Sequence, residues 1–324
     1  MTAESTDERR YVHEALFFDT DESLLGEGLQ FVSEGLRQGE DVALICTADR
    51  NQLLRDAAME HNGHAGGRLT LIDQQHAYRH ASGALEFFRR LAAKSATDGI
   101  PRARVVGEVP FGRNTEQWAE WRRFEAMANV ALAPHTLWSV CAYDTRNTAP
   151  ELHEIIRKTH PILSGDGRRG HNAEFVDPAA FLEDEPEPGL LPVQHGPPVS
   201  TIADIRTGEQ LREARQQLTR SMASVPGLPT GWARDFVLAV NELLENALIH
   251  GRSPVSVRLW VGADDVVCSV TDQGPGFRNP FAGYWRGLDT ELAHHGLWLA
   301  RQLCDEVSFH RHAGFTARAR LTLN

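Results

Sequence analysis

Lysine is nearly absent: Lys94 and Lys158 are the only two among 33 basic residues in a chain of 324. Basic charge is also short overall, with a net charge of −11, which leaves no electrostatic footprint for a nucleic acid. The deficit is local. Residues 199–324 hold thirteen Arg against thirteen Asp plus Glu, so the whole acidic excess lies in residues 1–198. Long apolar runs are missing too, and without eighteen consecutive apolar residues no membrane-spanning segment is expected. The opening stretch "MTAESTDERRYVHEALFF" lacks the basic-then-apolar pattern of a secretory leader, so a cytoplasmic protein is expected. Cysteine is scarce, and Cys46, Cys141, Cys268 and Cys304 form no C-x-x-C pair. Each sits in an apolar stretch and reads as a small buried hydrophobe, so neither a disulfide frame nor a zinc site is expected from them. Histidine is plentiful at fifteen. No H-E-x-x-H occurs, however, and His294-His295 are too close in sequence to chelate one ion, so the spacing predicts no metal centre.

What is present is ordinary globular material: 41% hydrophobic and 24% charged residues, with enough length for two cores. The clearest break is "EDEPEPGLLPVQHGPPVS", residues 183–200, with five prolines and four acids. It reads as an extended linker between a domain at 1–182 and a second at 201–324. Before it, β-type runs at 41–47, 68–73, 102–109 and 136–144 alternate with helical patterns at 21–38, 49–62, 82–97 and 114–132. That alternation predicts a parallel sheet covered by helices on both faces. After it come helices at 207–223 and 229–250, strands at 254–261 and 264–271, a helix at 296–305, and strands at 306–312 and 315–323. Helices grouped against an antiparallel sheet predict an α/β sandwich.

The second domain carries the chemistry. In "NELLENALIHG" (241–251), Glu242, Asn246 and His250 recur at every fourth position and form one polar stripe of a helix. Such a stripe either lines a pocket or faces water. Further on, a strand runs into "VTDQGPGFRNP" (270–280), where Asp272 at a strand end can accept a hydrogen bond from an exocyclic amine. Gly274 and Gly276 let the backbone turn tightly and approach a flat ligand. Gly296 then opens a helix in "AHHGLWLARQLCDEVSF" (293–309), and free N–H groups at a helix start favour a phosphate.

These three elements together resemble the Bergerat-fold (GHKL) ATP-binding family of gyrase, histidine kinases and bacterial anti-sigma factor kinases. "NELLENALIHG" is most similar to the anti-sigma regulatory serine/threonine kinases. The resemblance spans about residues 199 to 324 and implies ATP or ADP with Mg²⁺ as cofactors. Glu242 is implied as general base and Asn246 as the Mg²⁺ ligand. His250, Asp272, Gly274, Gly276, His295, Gly296, Leu297 and Thr316 are implied around the nucleotide, with Asp272 on the adenine amine. Residues 278–295, containing His294 and His295, would form a short lid. The family's second glycine box usually reads Gly-x-Gly, whereas here it is Gly296-Leu297-Trp298. The implied protein partners are a sigma factor and an anti-sigma-factor antagonist, and a homodimer is left open. A non-catalytic nucleotide-dependent switch is the alternative. A sensor histidine kinase fits less well, because the one helix ahead of residue 229 contains no histidine.

In the first domain, "HEALFFDTDESLLGEGLQFVSEGLRQGEDVALICT", "RVVGEVPFG", "CAYD" and "THPIL" resemble, in that order, the MEDS sensory domain of methanogen and methylotroph regulators. The resemblance spans about residues 10–180 and implies a RecA-like fold that takes a small-molecule signal. No G-x-x-x-x-G-K-[ST] is present, and "ICTADRNQ" stands where the phosphate loop is expected. ATP hydrolysis is therefore not expected there. His13, Glu108, Tyr143 and His160 lie in or beside these motifs and are the candidates for a sensory pocket.

Overall fold

A computed structural model describes residues 11–62, 68–111, 115–184, 196–225, 227–277, 279–284, 295–311 and 314–323. It separates into two compact units, Met1–Glu185 and Pro186–Asn324. The first unit runs β1 (Val12–Phe18), α1 (Asp21–Gln38), β2 (Asp41–Ile45), α2 (Ala48–Asn62), β3 (Leu69–Leu71), α3 (Gln74–Ala77), α4 (Ala81–Thr97), β4 (Ala103–Glu108), α5 (Thr115–Ala131), β5 (Leu137–Asp144), α6 (Pro150–Thr159), β6 (Ile162–Gly165), β7 (Arg168–His171) and α7 (Pro178–Asp184). Its sheet has the order β3-β2-β4-β5-β1-β6-β7, and only the β6–β7 pair is antiparallel. The interior strands β2, β4 and β5 are buried almost end to end, as a sheet covered on both faces requires. Thr20 and Ser23 close α1 with a capping box, and Gly39 ends it at φ 74°.

Sequence reasoning finds the four predicted strands and four predicted helices within one to two residues at most ends, but it overlooks β1. That strand contains His13 and Glu14, which look like surface residues and are in fact 1% and 4% exposed. Glu14 Oε2 accepts from Trp138 Nε1 at 3.0 Å and Arg169 Nε at 2.8 Å, which is what makes its burial tolerable. β1 is thus the first strand, and the loop after it is Asp19-Thr20, not the stretch after β2. Neither place holds a phosphate-loop sequence. The predicted linker also starts too early, because Glu183 and Asp184 end α7. Asp177 accepts from the N–H groups of Ala179 and Ala180 and starts that helix, and no proline stops it before Pro186.

The second unit contains β8 (Ser200–Ile205), α8 (Gly208–Ala223), α9 (Thr230–Ile249), β9 (Val255–Val261), β10 (Asp265–Asp272), α10 (His295–Leu303), β11 (Glu306–Arg311) and β12 (Phe315–Thr322). All pairs in the sheet β11-β12-β10-β9-β8 are antiparallel. Leu243, Leu244, Val257, Leu259, Cys268, Val270, Ala300 and Ala319 belong to one core between the helices and a single sheet face. β12 alternates strictly: Phe315, Ala317, Ala319 and Leu321 are buried, while Thr316, Arg318 and Arg320 are half-buried. The mixed α/β fold expected from sequence is therefore present, with a mostly parallel sheet first and a helix-backed antiparallel sheet second. Among the described residues, no helix is long and apolar enough to cross a membrane.

Candidate functional site

At the end of β10 a cavity of about 360 Å³ opens between α9, the β10 loop, α10 and β12. Asn246 and His250 line it from the polar stripe of α9, with Leu243 and Ala247 beside them. Asp272, Gly276 and Leu297 complete its rim together with Phe277, Phe309 and Phe315. The carboxylate of Asp272 is 3% exposed and is aimed by the backbone. Its Oδ1 accepts from the N–H of Gly274 at 2.5 Å and of Arg252 at 3.2 Å. Oδ2 accepts no hydrogen bond from any described residue, so it is available to a donor in the cavity. Glycine is required around it: a Cβ on Gly274 would lie 2.7 Å from Asp272 Oδ1 and 2.9 Å from the Cα of Gly251. Gly276 has φ +70°, and its missing side chain leaves room for the Phe315 ring.

The three phenylalanines form one aromatic wall. Phe277 meets Phe309 at 4.8 Å and Phe315 at 5.3 Å, both edge-on, while Phe309 and Phe315 stack at 5.7 Å. A flat heterocycle with an exocyclic amine matches this combination of ring faces, narrow glycine walls and one free carboxylate oxygen. Glu242 lies further along α9, half-buried, where a Cβ on Gly296 would come within 2.5 Å of its Oε2. Burial, reinforced by the neighbouring charge of Glu245, pushes its carboxyl above the usual range, although Arg215 and Asn241 oppose this. Glu245 is engaged elsewhere: it accepts from Arg215 Nη2 at 3.1 Å and Asn241 Nδ2 at 3.0 Å.

Several sequence-predicted roles shift. Thr316 does not border the cavity. Period-two alternation puts it on the opposite sheet face, where its Oγ1 lies 2.9 Å from Thr271 Oγ1, and Phe315 takes the inward position. Gly274 supports Asp272 instead of lining the cavity. His295 is exposed at the first position of α10 and is not among the lining residues. Trp298 is buried and likewise not part of the lining, so the departure from Gly-x-Gly does not fill this space. His294 and most of the proposed lid lie outside the described residues. Sequence reasoning gave no role to the three phenylalanines, Phe277, Phe309 and Phe315. "GFR" and "SFHRHAGF" contain them, but nothing in their spacing brings them together.

The first unit gathers a different group. His13 on β1, Cys141 and Tyr143 on β5, Glu125 on α5 and His160 just after α6 meet under α5, and all are at most 4% exposed. His13 Nε2 and His160 Nε2 lie 3.2 and 3.4 Å from Glu125 Oε2. The Tyr143 hydroxyl donates to Glu125 Oε1, and Cys141 Sγ is 3.4 Å from His13 Nε2. The two imidazoles are tilted against each other at 4.0 Å. Burial drives the His13 imidazole down to about 4, with His160 adding to the effect and Glu125 opposing it. The Glu125 carboxyl drops to about 2, because His160 and His13 together outweigh the burial that pushes it up.

Three of the four predicted pocket residues therefore come together, and Glu108 does not. It ends β4 and pairs with Arg50, whose Nη2 also donates to Asp21 at 3.0 Å and Asp144 at 2.6 Å. This carboxylate-rich knot occupies the C-terminal ends of β1, β4 and β5, the sheet edge where α/β folds hold ligands. Negative charge there disfavours a phosphate.

Residues 12–161 match the family model of the methanogen/methylotroph, DcmR sensory domain, MEDS, and residues 206–321 match that of the histidine kinase-like ATPase domain. No curated protein matches the chain. The chain thus carries a MEDS domain followed by a histidine kinase-like ATPase domain, which together make it a signalling regulator with an ATP-binding domain.

Proposed function

We propose that the chain is a bacterial serine/threonine protein kinase of the anti-sigma factor type, acting on an anti-sigma-factor antagonist under the control of its MEDS domain. The observation that supports this best is the position of Glu242. It lies one turn before Asn246, beside the start of α10, with its carboxyl raised by burial and by the charge of Glu245. In this reading Asp272 Oδ2 accepts the adenine amine, the phenylalanine wall holds the ring and Gly276 admits its edge. Asn246 would hold Mg²⁺, which would supply positive charge to offset that of the phosphates. Glu242 orients the attacking hydroxyl and accepts its proton. The sigma factor is the second protein partner.

A second reading, a nucleotide-dependent binding switch without transfer, is favoured by one feature: no Lys or Arg side chain lines the cavity among the described residues. Radiolabel transfer from ATP to the cognate antagonist separates the two. Glu242→Gln keeps the shape, so ATP affinity should stay within a few-fold while transfer falls by about 10² to 10⁴. ATP binding without transfer by the wild-type chain would establish the switch.

A further inference from the structure

We propose that His13, Glu125, Cys141 and His160 are the four ligands of a divalent transition-metal ion, zinc by the character of the donors, buried inside the MEDS domain. Their ligand atoms all lie within 4.8 Å of one another, and every one of the residues is buried. A tetrahedral zinc with bonds of about 2.0–2.1 Å to N and O places those atoms about 3.3 Å apart, and sulfur at about 2.3 Å places N and S about 3.5 Å apart. The observed separations are 3.2 Å and 3.4 Å from the imidazoles to Glu125, and 3.4 Å from Cys141 to His13. Three of the six ligand-to-ligand edges thus already have tetrahedral length, and the remaining ones lie within 4.8 Å.

The hydrogen bonds behind the cluster determine which way the lone pairs point. Asn129 Nδ2 donates to the carbonyls of Glu125 at 3.0 Å and Thr159 at 2.8 Å, so its Oδ1 faces His13 Nδ1 at 3.1 Å as an acceptor. The proton of His13 is therefore on Nδ1. His160 Nδ1 lies 2.8 Å from the Ile156 carbonyl and carries its proton for the same reason. Both Nε2 lone pairs then face Glu125 Oε2, a fully buried oxygen with no hydrogen-bond partner. The two Nε2 atoms and Oε2 therefore converge on one point, and a cation there would be held by all three. Outer partners that fix imidazole tautomers in this way are the usual support of metal-bound histidines, and Tyr143 does the same for the carboxylate.

The donor set also selects the ion. Two imidazoles, a thiolate and a carboxylate form a borderline set that suits zinc and disfavours magnesium or calcium. On binding, the Cys141 S–H bond breaks, an S–metal bond forms and the proton leaves to solvent. One thiolate and one carboxylate then neutralise the dication, so the buried site carries no net charge. Four protein ligands leave no open position, so the ion would tie β1, β5, α5 and the end of α6 together instead of activating water. This site is independent of the nucleotide reading.

The test uses the full chain, produced separately in zinc- and cobalt-supplemented medium, desalted and assayed for metal. About one equivalent per chain is expected in each case, and the cobalt form should show intense tetrahedral d–d bands with a thiolate charge-transfer band. Cys141→Ser should keep the ion but lose the charge-transfer band, while His160→Gln should lower metal content about tenfold or more. The cobalt spectrum of the wild-type chain decides the matter even if His160→Gln fails to fold. Less than about a tenth of an equivalent in both media, or cobalt bands unchanged in Cys141→Ser, would overturn the proposal.

Discussion

At Asp272 a single pair of oxygens divides two duties. Oδ1 is pinned by the N–H groups of Gly274 and Arg252, and Oδ2 accepts from no described residue in a side chain that lines the cavity. In Asp272→Asn the amide oxygen can keep both backbone bonds, while an acceptor becomes a donor where the ligand's amine would sit. The variant should fold with a denaturation midpoint close to wild type yet bind ADP about 10- to 100-fold more weakly, a loss typical of a charge-assisted bond. Unchanged affinity in calorimetric titration would remove Asp272 from the site. Asp144 offers a second test at this scale. Burial raises its carboxyl, but hydrogen bonds from Arg146 and Arg50 win and hold it well below the usual range. A carboxyl depressed in the fold contributes stability above its unfolded value of about 4, and that contribution is lost as pH falls. Asp144→Asn should therefore lower stability by about 2 kcal/mol at neutral pH, chiefly through the bond to Arg50. The gap should narrow in urea titrations below about pH 4. Glu108, raised by burial, works in the opposite sense, so the difference between wild type and variant is the quantity to follow. Asp272, Asn246 and Gly276 were legible because their motifs are contiguous. Glu125 was not: it is one acid in "RRFEAMAN", and only the fold carries it to His13, more than a hundred residues away.

Among the elements, polar strands are what the sequence hid. β8 reads "STIADI", with half of its side chains exposed, and lacks the apolar run of an interior strand. It nonetheless pairs with β9, and the N–H of Val199 donates to the Leu259 carbonyl at 2.8 Å just ahead of it. The matched ATPase residues begin at 206, after this strand. A fragment starting there should leave β9 as an unpaired edge and aggregate, whereas one starting at 196 should remain monodisperse in light scattering. Comparable behaviour of the two would show β8 to be dispensable. The long helices were legible in detail because apolar periodicity and caps agree. α1 is the clearest case, and Thr20→Ala should cost about 1 kcal/mol in denaturant titration by removing its cap.

For the whole molecule, the two-core division follows from composition: five prolines in eighteen residues cannot continue either sheet. The second unit contains its complete sheet, its helices and the cavity, so residues 196–324 should fold alone and bind ADP with Mg²⁺. A cooperative thermal transition and a calorimetric isotherm for that fragment are the expected outcomes. Residues 1–184 should not turn ATP over, since carboxylates crowd the strand ends where phosphates would bind. Steady phosphate release by that fragment would make the first unit an ATPase instead of a sensor. The buried cluster of the MEDS domain was not legible, because four elements far apart in the chain assemble it and leave no spacing to read.

Gly276 and Phe315 also bear on how this pocket can change over generations. The ring fills the space a side chain at 276 would need, and the backbone there sits at φ +70°. Shrinking Phe315 removes the collision but leaves the left-handed strain, which costs a non-glycine residue about 1–2 kcal/mol. The order of substitution is therefore constrained: a lineage can reach a smaller residue at 315 first, but not a larger one at 276 first. The aromatic wall can be remodelled around a fixed glycine, and the pocket's preference for one flat ligand over another can drift through position 315 while its turn stays unchanged.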